Sequence, residues 1–360
     1  MDSLCWARAL GTLPDRTPLP PAEDTLARFA AGQTVLVTGA GGSIGAELCR
    51  QLAALAPARL VLLDICENGV YDLMQELMQG GVPAGLLRAE IGSIRDLPRL
   101  RQIVSSCRPS LILHTAAHKH VPLMESCPQE AIKNNLLGTQ NVVTAALEAD
   151  CARFVLISSD KAVHPAGIMG ASKRLAELAV QAAHGTGSTI LTTVRFGNVL
   201  GSSGSVAPLF ARQIASGGPV TVTDPRVTRY FMTIAEAARL ALSAASLARG
   251  GETFVLEMGD PVSIDALARR MIEQSGRAVE IRYTGLRPGE KLTEELCLPD
   301  ERVLSADGRR LRVSVGPPVD SAWLLRTFSA LTALAAQNDG EAIRTLLHGL
   351  FPGIPLRPPE

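Results

Sequence analysis

An acid and a base stand side by side at residues 160 and 161 of this sequence, within the stretch SSDKAVHP. Asp160 and Lys161 follow the apolar run FVLI at residues 154–157, which has the composition of a buried strand. A carboxyl group and an amine can donate and accept protons for a bound substrate. Because ligands bind at the carboxyl ends of parallel strands, we predict an acid–base pair here in preference to a solvated Asp–Lys pair on a loop.

We expect the side chains of Asp160 and Lys161 to point apart, toward different substrate atoms. In catalysis the acid must be protonated and the amine neutral, and burial shifts both pKa values in that direction. A direct ion pair would oppose both shifts. Met169 and Lys173 follow, four residues apart, which places them on one face of a predicted helix.

A second candidate site is the glycine loop VLVTGAGGSIGAEL, between a predicted strand and a predicted helix. Gly39 permits a tight turn, Gly42 removes side-chain bulk beside a phosphate, and Gly45 permits close helix packing. A Gly-rich turn without a ligand is the alternative. The strand–glycine–helix context instead predicts a dinucleotide whose pyrophosphate lies at the helix N-terminus, against Ser43 and Ile44.

Asp64 ends the second predicted strand, 19 residues after Gly45. A carboxylate there would accept hydrogen bonds from the adenosine ribose and repel a 2'-phosphate, so NAD is favoured over NADP. A solvated acid at the strand end is the alternative. Ser93 follows the third strand, where an adenine contact and a simple turn serine fit equally well. The remaining predicted cofactor contacts are Ile94, Ala116 and Ala117.

These groups must be positioned by a sheet. Short β-branched runs alternate with helical patterns at residues 34–38, 60–64, 111–114, 153–157 and 189–195, and a further strand at 253–256 returns to the same sheet. This alternation predicts an α/β fold of the Rossmann type, a doubly wound parallel sheet with a smaller, discontinuous second lobe. We expect an N-terminal arm over 1–32, a dinucleotide-binding domain over 33–198 with a return at 219–258, a second lobe from 199–218 and 259–300, and a C-terminal extension over 301–360.

Composition narrows the class of protein. Lysine plus arginine and aspartate plus glutamate each number 35, which gives no bias toward nucleic acid or anionic membranes. No apolar run is long enough for a membrane span, and charges near the start argue against a secretory signal. The seven scattered cysteines form no C-x-x-C pair, and no histidine spacing indicates a metal site. We therefore expect a cytoplasmic protein with neither a disulfide framework nor a bound metal.

Several blocks together resemble the extended short-chain dehydrogenase/reductases, specifically the UDP-N-acetylglucosamine 4,6-dehydratases of polysaccharide biosynthesis. The blocks are TGAGGSIG, HTAAHKHVPLME, NNLLGT, SSDKAVHP, MGASKR, RFGNVLGSSGSV, TRYFMTIAEA and RPGEKLTEEL, from about Thr34 to Leu296. The resemblance implies bound NAD and a UDP-sugar substrate. Larger relatives carry an N-terminal membrane region, and the arm before Thr34 looks like the remnant of their linker, which implies a soluble form.

The resemblance also implies roles for individual residues. In the superfamily a Tyr-x-x-x-Lys pair handles the proton of the hydroxyl being oxidised, and Met169 occupies the tyrosine position. A thioether cannot exchange a proton at neutral pH, so Ser159 is the candidate to replace it, and Lys173 would still hold the nicotinamide ribose. By family resemblance Asp160 is the acid and Lys161 the base. The methionine form implies retention of configuration at carbon 5.

The second lobe would then hold the nucleotide sugar. Arg229 and Arg287 are predicted phosphate ligands, because a guanidinium offers paired donors to oxygen anions. Glu290 would accept from the uridine ribose, and Asn198 would donate to a phosphate or sugar oxygen. The block HTAAHKHVPLME adds three residues that would shape the sugar pocket, or serve the structure alone: His118, Lys119 and Glu125.

The implied reaction oxidises carbon 4, which acidifies the carbon 5 proton, eliminates water across carbons 5 and 6, and returns hydride to carbon 6. A 4-epimerase or reductase acting on another nucleotide sugar is one alternative. A non-enzymatic NAD-binding scaffold, suggested by the missing tyrosine, is another. We expect a homo-oligomer, at least a dimer.

Overall fold

The computed structural model describes residues 23–306 and 310–356. Most of the predicted N-terminal arm, residues 1–22, lies outside the described residues. The described chain opens with helix α1 (Glu23–Ala30), whose Leu26 is buried against the main core. Within the described ranges, no helix combines the length and apolar character needed to cross a membrane.

The centre of the described chain is a nine-stranded sheet. Its strands are β1 (Thr34–Thr38), β2 (Arg59–Asp64), β3 (Leu87–Ile91), β4 (Leu111–His114), β5 (Arg153–Ile157), β6 (Ile190–Arg195), β11 (Thr253–Leu256), β14 (Arg302–Ala306) and β15 (Leu311–Val315). They lie in the order β14-β15-β11-β6-β5-β4-β1-β2-β3. Strands β1 to β6 run parallel to their neighbours and β11 runs parallel to β6, while β15 pairs antiparallel with β11 and β14.

Helices cover both faces of this sheet, because successive strand residues point to opposite sides. Val35 and Val37 belong to one apolar cluster and Leu36 to another. The first cluster lies under α1, α2 (Ser43–Ala53), α3 (Glu67–Gln79) and α10 (Ile234–Leu247), and the second under α4 (Leu97–Cys107), α7 (Gly138–Glu148) and α8 (Ile168–Ala183). The predicted Rossmann-type doubly wound α/β fold is thus confirmed.

A separate small core buries Phe210, Val220 and Phe231. The elements around it are β7 (Asn198–Leu200), α9 (Val206–Ala215), β8 (Val220–Val222), β9 (Thr228–Arg229), β10 (Phe231–Thr233), β12 (Val262–Ser263), α11 (Ile264–Ser275) and β13 (Ile281–Tyr283). Its strands form three two-stranded pairings, β10 with β7, β12 with β9 and β13 with β8.

The C-terminal part joins the main body. The β14–β15 hairpin extends the central sheet beyond β11, and helices α12 (Ser321–Ala336) and α13 (Gly340–Leu350) pack on α8. Beneath them lie α5 (Val121–Ser126), α6 (Pro128–Ala131) and a π-helical turn (Ile132–Leu137). The predicted domain boundaries stay predictions. The sequence pattern missed the hairpin, and the structure makes it part of the sheet.

Candidate active site

The glycine loop lies between β1 and α2, as predicted. Gly39 has a φ of +71°, and a Cβ added at Gly45 would stand 2.1 Å from the carbonyl oxygen of Gly39. Only glycine therefore allows the helix to approach the strand this closely. Gly42 caps α2 without a side-chain hydrogen bond, so first-turn N–H groups remain suited to an anion.

Asp64 lies beside this loop at the end of β2. Its Oδ2 accepts from the backbone N–H of Gly41 at 2.9 Å, and its Oδ1 accepts from Cys66 N at 2.9 Å. A carboxylate oxygen accepts more than one hydrogen bond, so these contacts orient the group and leave it able to take ribose hydroxyls. The arrangement fits the adenosine half of a dinucleotide.

The other predicted cofactor contacts divide between the loop and the core. Ala116 lies against Gly39, since a Cβ there would meet Ala116 N at 2.6 Å, and Ala117 follows half-buried. Ser93 Oγ accepts from Arg95 N at 3.2 Å, the geometry of a turn serine, and Ile94 is buried in the second cluster. The adenine contact of Ser93 stays a prediction.

Ser43 and Ile44 open helix α2. Ser43 Oγ accepts from Ser203 N at 3.1 Å, which joins the glycine loop to the loop that follows β7. Ile44 is half-buried and packs against the first core cluster. The loop carrying Ser203 therefore lies beside the predicted pyrophosphate position.

Asp160 and Lys161 form a direct ion pair, so the prediction that their side chains point apart is wrong. Lys161 Nζ donates to Asp160 Oδ1 at 3.0 Å, and Ser159 Oγ donates to the same oxygen at 2.9 Å. The Asp160 side chain is fully buried. An isolated buried carboxylate is costly, and the neighbouring ammonium offsets that cost.

The electrostatics of Lys161 also differ from expectation. Burial favours its neutral form, but the carboxylates of Asp160 and Glu294 outweigh burial and raise the Lys161 pKa. Glu294 Oε1 lies 3.5 Å from Nζ, and Asn198 Oδ1 accepts from Nζ at 3.4 Å. In this arrangement Lys161 is an ammonium group. The contact with Asn198 brings that predicted residue into the acid–base cluster.

Glu294 is the residue of this cluster that the sequence interpretation missed. It lies in the quoted block RPGEKLTEEL, where two glutamates stand side by side. The Glu294 side chain is buried, whereas the carboxylate of Glu295 is exposed and lies 2.6 Å from His164 Nδ1. The block was the available signal, but it does not distinguish the inward glutamate from the outward one.

Lys173 and Met169 share α8 but face different surroundings. Lys173 Nζ donates to the Ile157 carbonyl at 2.6 Å, and burial lowers its pKa to about 8 although Glu177 acts in the opposite direction. Met169 is buried in the apolar cluster with Phe328 of α12. The Met169 side chain therefore packs in a core, and no proton carrier replaces the tyrosine at this position.

A buried ion network stabilises the strand ends around the site. Arg195 Nη2 lies 2.7 Å from Glu177 and its Nη1 lies 2.9 Å from Glu301. Ser158 Oγ donates to Glu177 at 2.6 Å. Burial alone would raise the pKa of Glu177, but Arg195 outweighs it and lowers the pKa to about 2. The network fixes β5, α8 and β6 relative to the C-terminal part.

The two predicted phosphate ligands behave differently. Arg229 is buried, and its guanidinium donates to the carbonyls of Thr228, Lys291 and Leu292. It therefore supports the loop after RPGEK, and its contact with phosphate stays a prediction. Arg287 is largely exposed, with Nε 3.4 Å from Glu290 Oε2.

Glu290 links these two arginines. Its Oε1 accepts from Arg229 Nη2 at 3.4 Å and from Thr223 Oγ1 at 3.3 Å. The predicted contact with uridine ribose is untested. Through Arg229, whose Nε lies 3.9 Å from Glu294, the nucleotide-binding candidates adjoin the Asp160–Lys161 cluster.

The three predicted sugar-pocket residues that follow β4 lie in different surroundings. The ring Nε2 of His118 lies 3.1 Å from Arg95 Nη2, and Lys119 Nζ lies 3.4 Å from Ser202 Oγ. Glu125 is buried, with Oε2 accepting from Arg344 Nη1 at 2.6 Å and Oε1 from Ile168 N at 2.7 Å. These contacts favour the structural alternative for Glu125.

His114, at the end of β4, is buried and hydrogen-bonded on both sides, and the described chain shows no metal-binding cluster. The buried ring of His114 lies 2.6 Å from Thr38 Oγ1 and 3.0 Å from Thr139 Oγ1, and burial lowers its pKa to about 3, with Lys173 acting in the same direction. His114 is therefore neutral. Across residues 23–306 and 310–356, no group of three or more His, Cys, Asp or Glu side chains could hold a metal ion.

The sequence model of a family described as "Polysaccharide biosynthesis protein" matches residues 35–314. The chain belongs to this polysaccharide biosynthesis protein family. The capsular polysaccharide biosynthesis protein CapD of Staphylococcus aureus is 50% identical over 280 residues, 77% of this chain and 47% of its own length. The probable polysaccharide biosynthesis protein EpsC of Bacillus subtilis is 46% identical over 311 residues, 86% of this chain and 52% of its own. The chain spans about half the length of these two curated relatives.

Other relatives and structural neighbours carry enzyme names. A UDP-glucose 4-epimerase of Rickettsia rickettsii is 35% identical over 284 residues, 77% of this chain and 81% of its own. Among solved structures, Pen from Bacillus thuringiensis superposes with a TM-score of 0.76 at 34% identity, covering 80% of this chain and 90% of that one. MoeE5 in complex with UDP-glucose and NAD gives 0.61 at 25% identity, covering 72% and 88%. The predicted resemblance to extended short-chain dehydrogenase/reductases of polysaccharide biosynthesis is confirmed.

Proposed function

We propose that this member of the family is an NAD-dependent 4,6-dehydratase that converts UDP-N-acetylglucosamine to a 4-keto-6-deoxy sugar nucleotide with retention at carbon 5. The observation that carries the proposal is the Asp160–Lys161 pair, 3.0 Å between Oδ1 and Nζ, at the carboxyl end of β5. Elimination of water needs an acid for the leaving hydroxyl and a base for carbon 5, and this pair supplies both.

The residues at the glycine loop fit NAD. Gly39, Gly42 and Gly45 open α2 toward a pyrophosphate, and Asp64 would take the adenosine ribose hydroxyls. Lys173 would hold the nicotinamide ribose from α8. NAD, when bound, would accept the hydride from sugar carbon 4 and return it to carbon 6, so that no net NAD is consumed.

Elimination requires a protonated carboxyl at Asp160 and a neutral amine at Lys161. The two groups lie 3.0 Å apart, and the Asp160 carboxylate can take one proton. Ser159 Oγ donates to Asp160 Oδ1 at 2.9 Å, so it could pass the proton of the carbon 4 hydroxyl to Asp160. Asp160 would then protonate the carbon 6 hydroxyl as it leaves.

A 4-epimerase is the second candidate, favoured by the name of the Rickettsia relative. Epimerisation changes configuration at carbon 4 and needs no base for carbon 5. In an epimerase Lys161 would therefore not act as a carbon 5 base, and Asp160 would have no leaving hydroxyl to protonate. A non-enzymatic NAD-binding scaffold is the third candidate, and it leaves the buried pair without a chemical role.

Incubation of the purified chain with UDP-N-acetylglucosamine in deuterated water tests these alternatives. The proposal predicts a product lighter by one water, with deuterium at carbon 5 and unchanged ring configuration, by mass spectrometry and proton NMR. Unchanged mass with inverted carbon 4 would indicate an epimerase. A product that forms only when NADH is added would indicate a reductase. No conversion of several nucleotide sugars would favour the scaffold.

We also propose a cytoplasmic location and a homo-oligomer of at least two chains. Light scattering coupled to size-exclusion chromatography measures the number of chains in the oligomer, and a monomer at micromolar concentration would contradict the proposed homo-oligomer. Fractionation of cells that express the chain tests the proposed cytoplasmic location.

A further inference from the structure

A second buried carboxylate reaches Lys161 from a distant segment. The Glu294 side chain is 3% exposed, and its Oε1 lies 3.5 Å from Lys161 Nζ. Its Oε2 is buried and has no hydrogen-bond partner within the part of the chain that the structure describes. Arg229 Nε is 3.9 Å away. This carboxylate therefore keeps one oxygen with unused lone pairs close to the amine.

The proposed dehydration moves more protons than Asp160 and Lys161 hold between them. The carbon 4 hydroxyl releases a proton, which Ser159 passes to Asp160 and which leaves with the carbon 6 hydroxyl as water. Asp160 is then occupied when Lys161 must become a neutral base. Lys161 begins as an ammonium, and the Met169 thioether cannot take its proton. An internal acceptor within reach of Nζ would take this proton without its loss to solvent.

We propose that Glu294 stores this proton, accepting it from Lys161 Nζ before carbon 5 is deprotonated and returning it after carbon 5 is reprotonated. Every group then ends the cycle in the protonation state in which it started. The cycle starts with Asp160 and Glu294 ionised and Lys161 charged. Asp160 gains the carbon 4 proton, Lys161 gives one to Glu294, and Lys161 then takes the carbon 5 proton. Asp160 loses its proton to the leaving hydroxyl, Lys161 reprotonates carbon 5, and Glu294 restores the ammonium.

This role rests on the proposed function, and Glu294 acts through Lys161 without touching the sugar. The charged groups that face Lys161 are Asp160 beside it, Glu294 from the loop after RPGEK, and Arg229 from β9. Neither Asp160 nor cationic Arg229 is free to accept a proton at this stage. Among the charged groups that the structure describes around Lys161, Glu294 is the remaining acceptor.

Glu294→Gln tests the proposal, because an amide of similar shape cannot store the proton. The readout is deuterium incorporation at carbon 5 of the sugar, measured against pH in deuterated water. In the wild type the proton moves internally, so the rate should be flat across the neutral range. In the variant Lys161 must lose its proton to solvent, so the rate should fall roughly a hundredfold near neutrality and rise about tenfold per pH unit.

Glu295→Gln is the matched control, since it makes the same change one residue away on an exposed carboxylate. It should keep the wild-type rate and flat profile. All variants should bind NAD and unfold at the wild-type temperature. If Glu294→Gln does not fold, Glu294→Asp carries the test: a flat profile at reduced rate supports storage by a carboxyl group, and a rate rising with pH contradicts it.

Failure of proton storage by Glu294 and failure of the proposed dehydratase function give different results. A Glu294→Gln variant with the wild-type rate and a flat profile would overturn proton storage while leaving the dehydratase intact. A wild type that removes no water from any UDP-sugar would overturn the proposed function itself.

Discussion

Arg344 of α13 donates from Nη1 to Glu125 Oε2 across 2.6 Å, with both side chains about 95% buried. The other oxygen of Glu125 accepts from the backbone N–H of Ile168, the first residue of α8. The C-terminal helix therefore holds the start of the helix that carries Met169 and Lys173.

Replacing Arg344 with methionine should destabilise the fold strongly. The change leaves the Glu125 carboxylate buried without its cation, which typically costs about 3–5 kcal/mol of unfolding free energy. Urea denaturation measures this loss. Arg326→Met, on the exposed side of α12, is the matched control and should change stability by less than about 0.5 kcal/mol. An equal loss of stability in the two variants would contradict a stabilising role for the Arg344–Glu125 ion pair.

Gly45→Ala should damage both the fold and the cofactor site. The added Cβ would lie 2.1 Å from Gly39 O, and relieving such a clash costs about 1–3 kcal/mol. We expect a lower melting temperature and weaker NAD binding by calorimetry. Gly85→Ala introduces the same methyl group where no heavy atom lies within 4 Å, so it should bind NAD as the wild type does.

Asp64→Asn should lower the preference for NAD over NADP. The amide can still accept from Gly41 N, but it loses the charge that holds the ribose hydroxyls and repels a 2'-phosphate. Affinity for NAD should fall roughly tenfold, the scale of one weakened charge-assisted hydrogen bond. Fluorescence titration with both dinucleotides measures the ratio. Asp72→Asn, exposed on α3, should leave the ratio unchanged.

His114 should remain neutral at mildly acidic pH. Its folded pKa of about 3 lies below the ordinary value of 6.5 because the ring is buried. Between these values the unfolded chain binds a proton that the folded chain does not. The unfolding free energy should therefore decrease as pH falls, by up to about 1.4 kcal/mol per pH unit from this group. An NMR titration of the His114 ring with a midpoint near 6.5 would contradict this.

Local patterns predicted the parallel sheet well because its strands are short, apolar and bounded by glycine or polar residues. The strands expected at 34–38, 111–114, 153–157 and 253–256 have those bounds. The β14–β15 hairpin escaped prediction because polar residues interrupt both of its strands, RVLSA and LRVSV, so neither carries an apolar run. Its place in the sheet depends on pairing with β11, which no local pattern encodes.

The candidate site was predictable in position but not in contacts. The location of Asp160 and Lys161 follows from the strand before them, whereas their ion pair depends on side-chain rotamers and on what surrounds them. Glu294 and Glu295 are identical in type and adjacent in sequence. Only the path of the folded loop decides which one is buried.

The fully buried Arg195 gives the chain a constraint on redesign. Two of its nitrogens bind Glu301, at the start of the C-terminal part, and one of those same nitrogens also binds Glu177 of α8. Truncation of the protein at residue 300 would remove the Glu301 carboxylate and leave the Arg195 guanidinium without two of its hydrogen bonds. A truncated variant should therefore retain Glu301 and the hairpin that follows it.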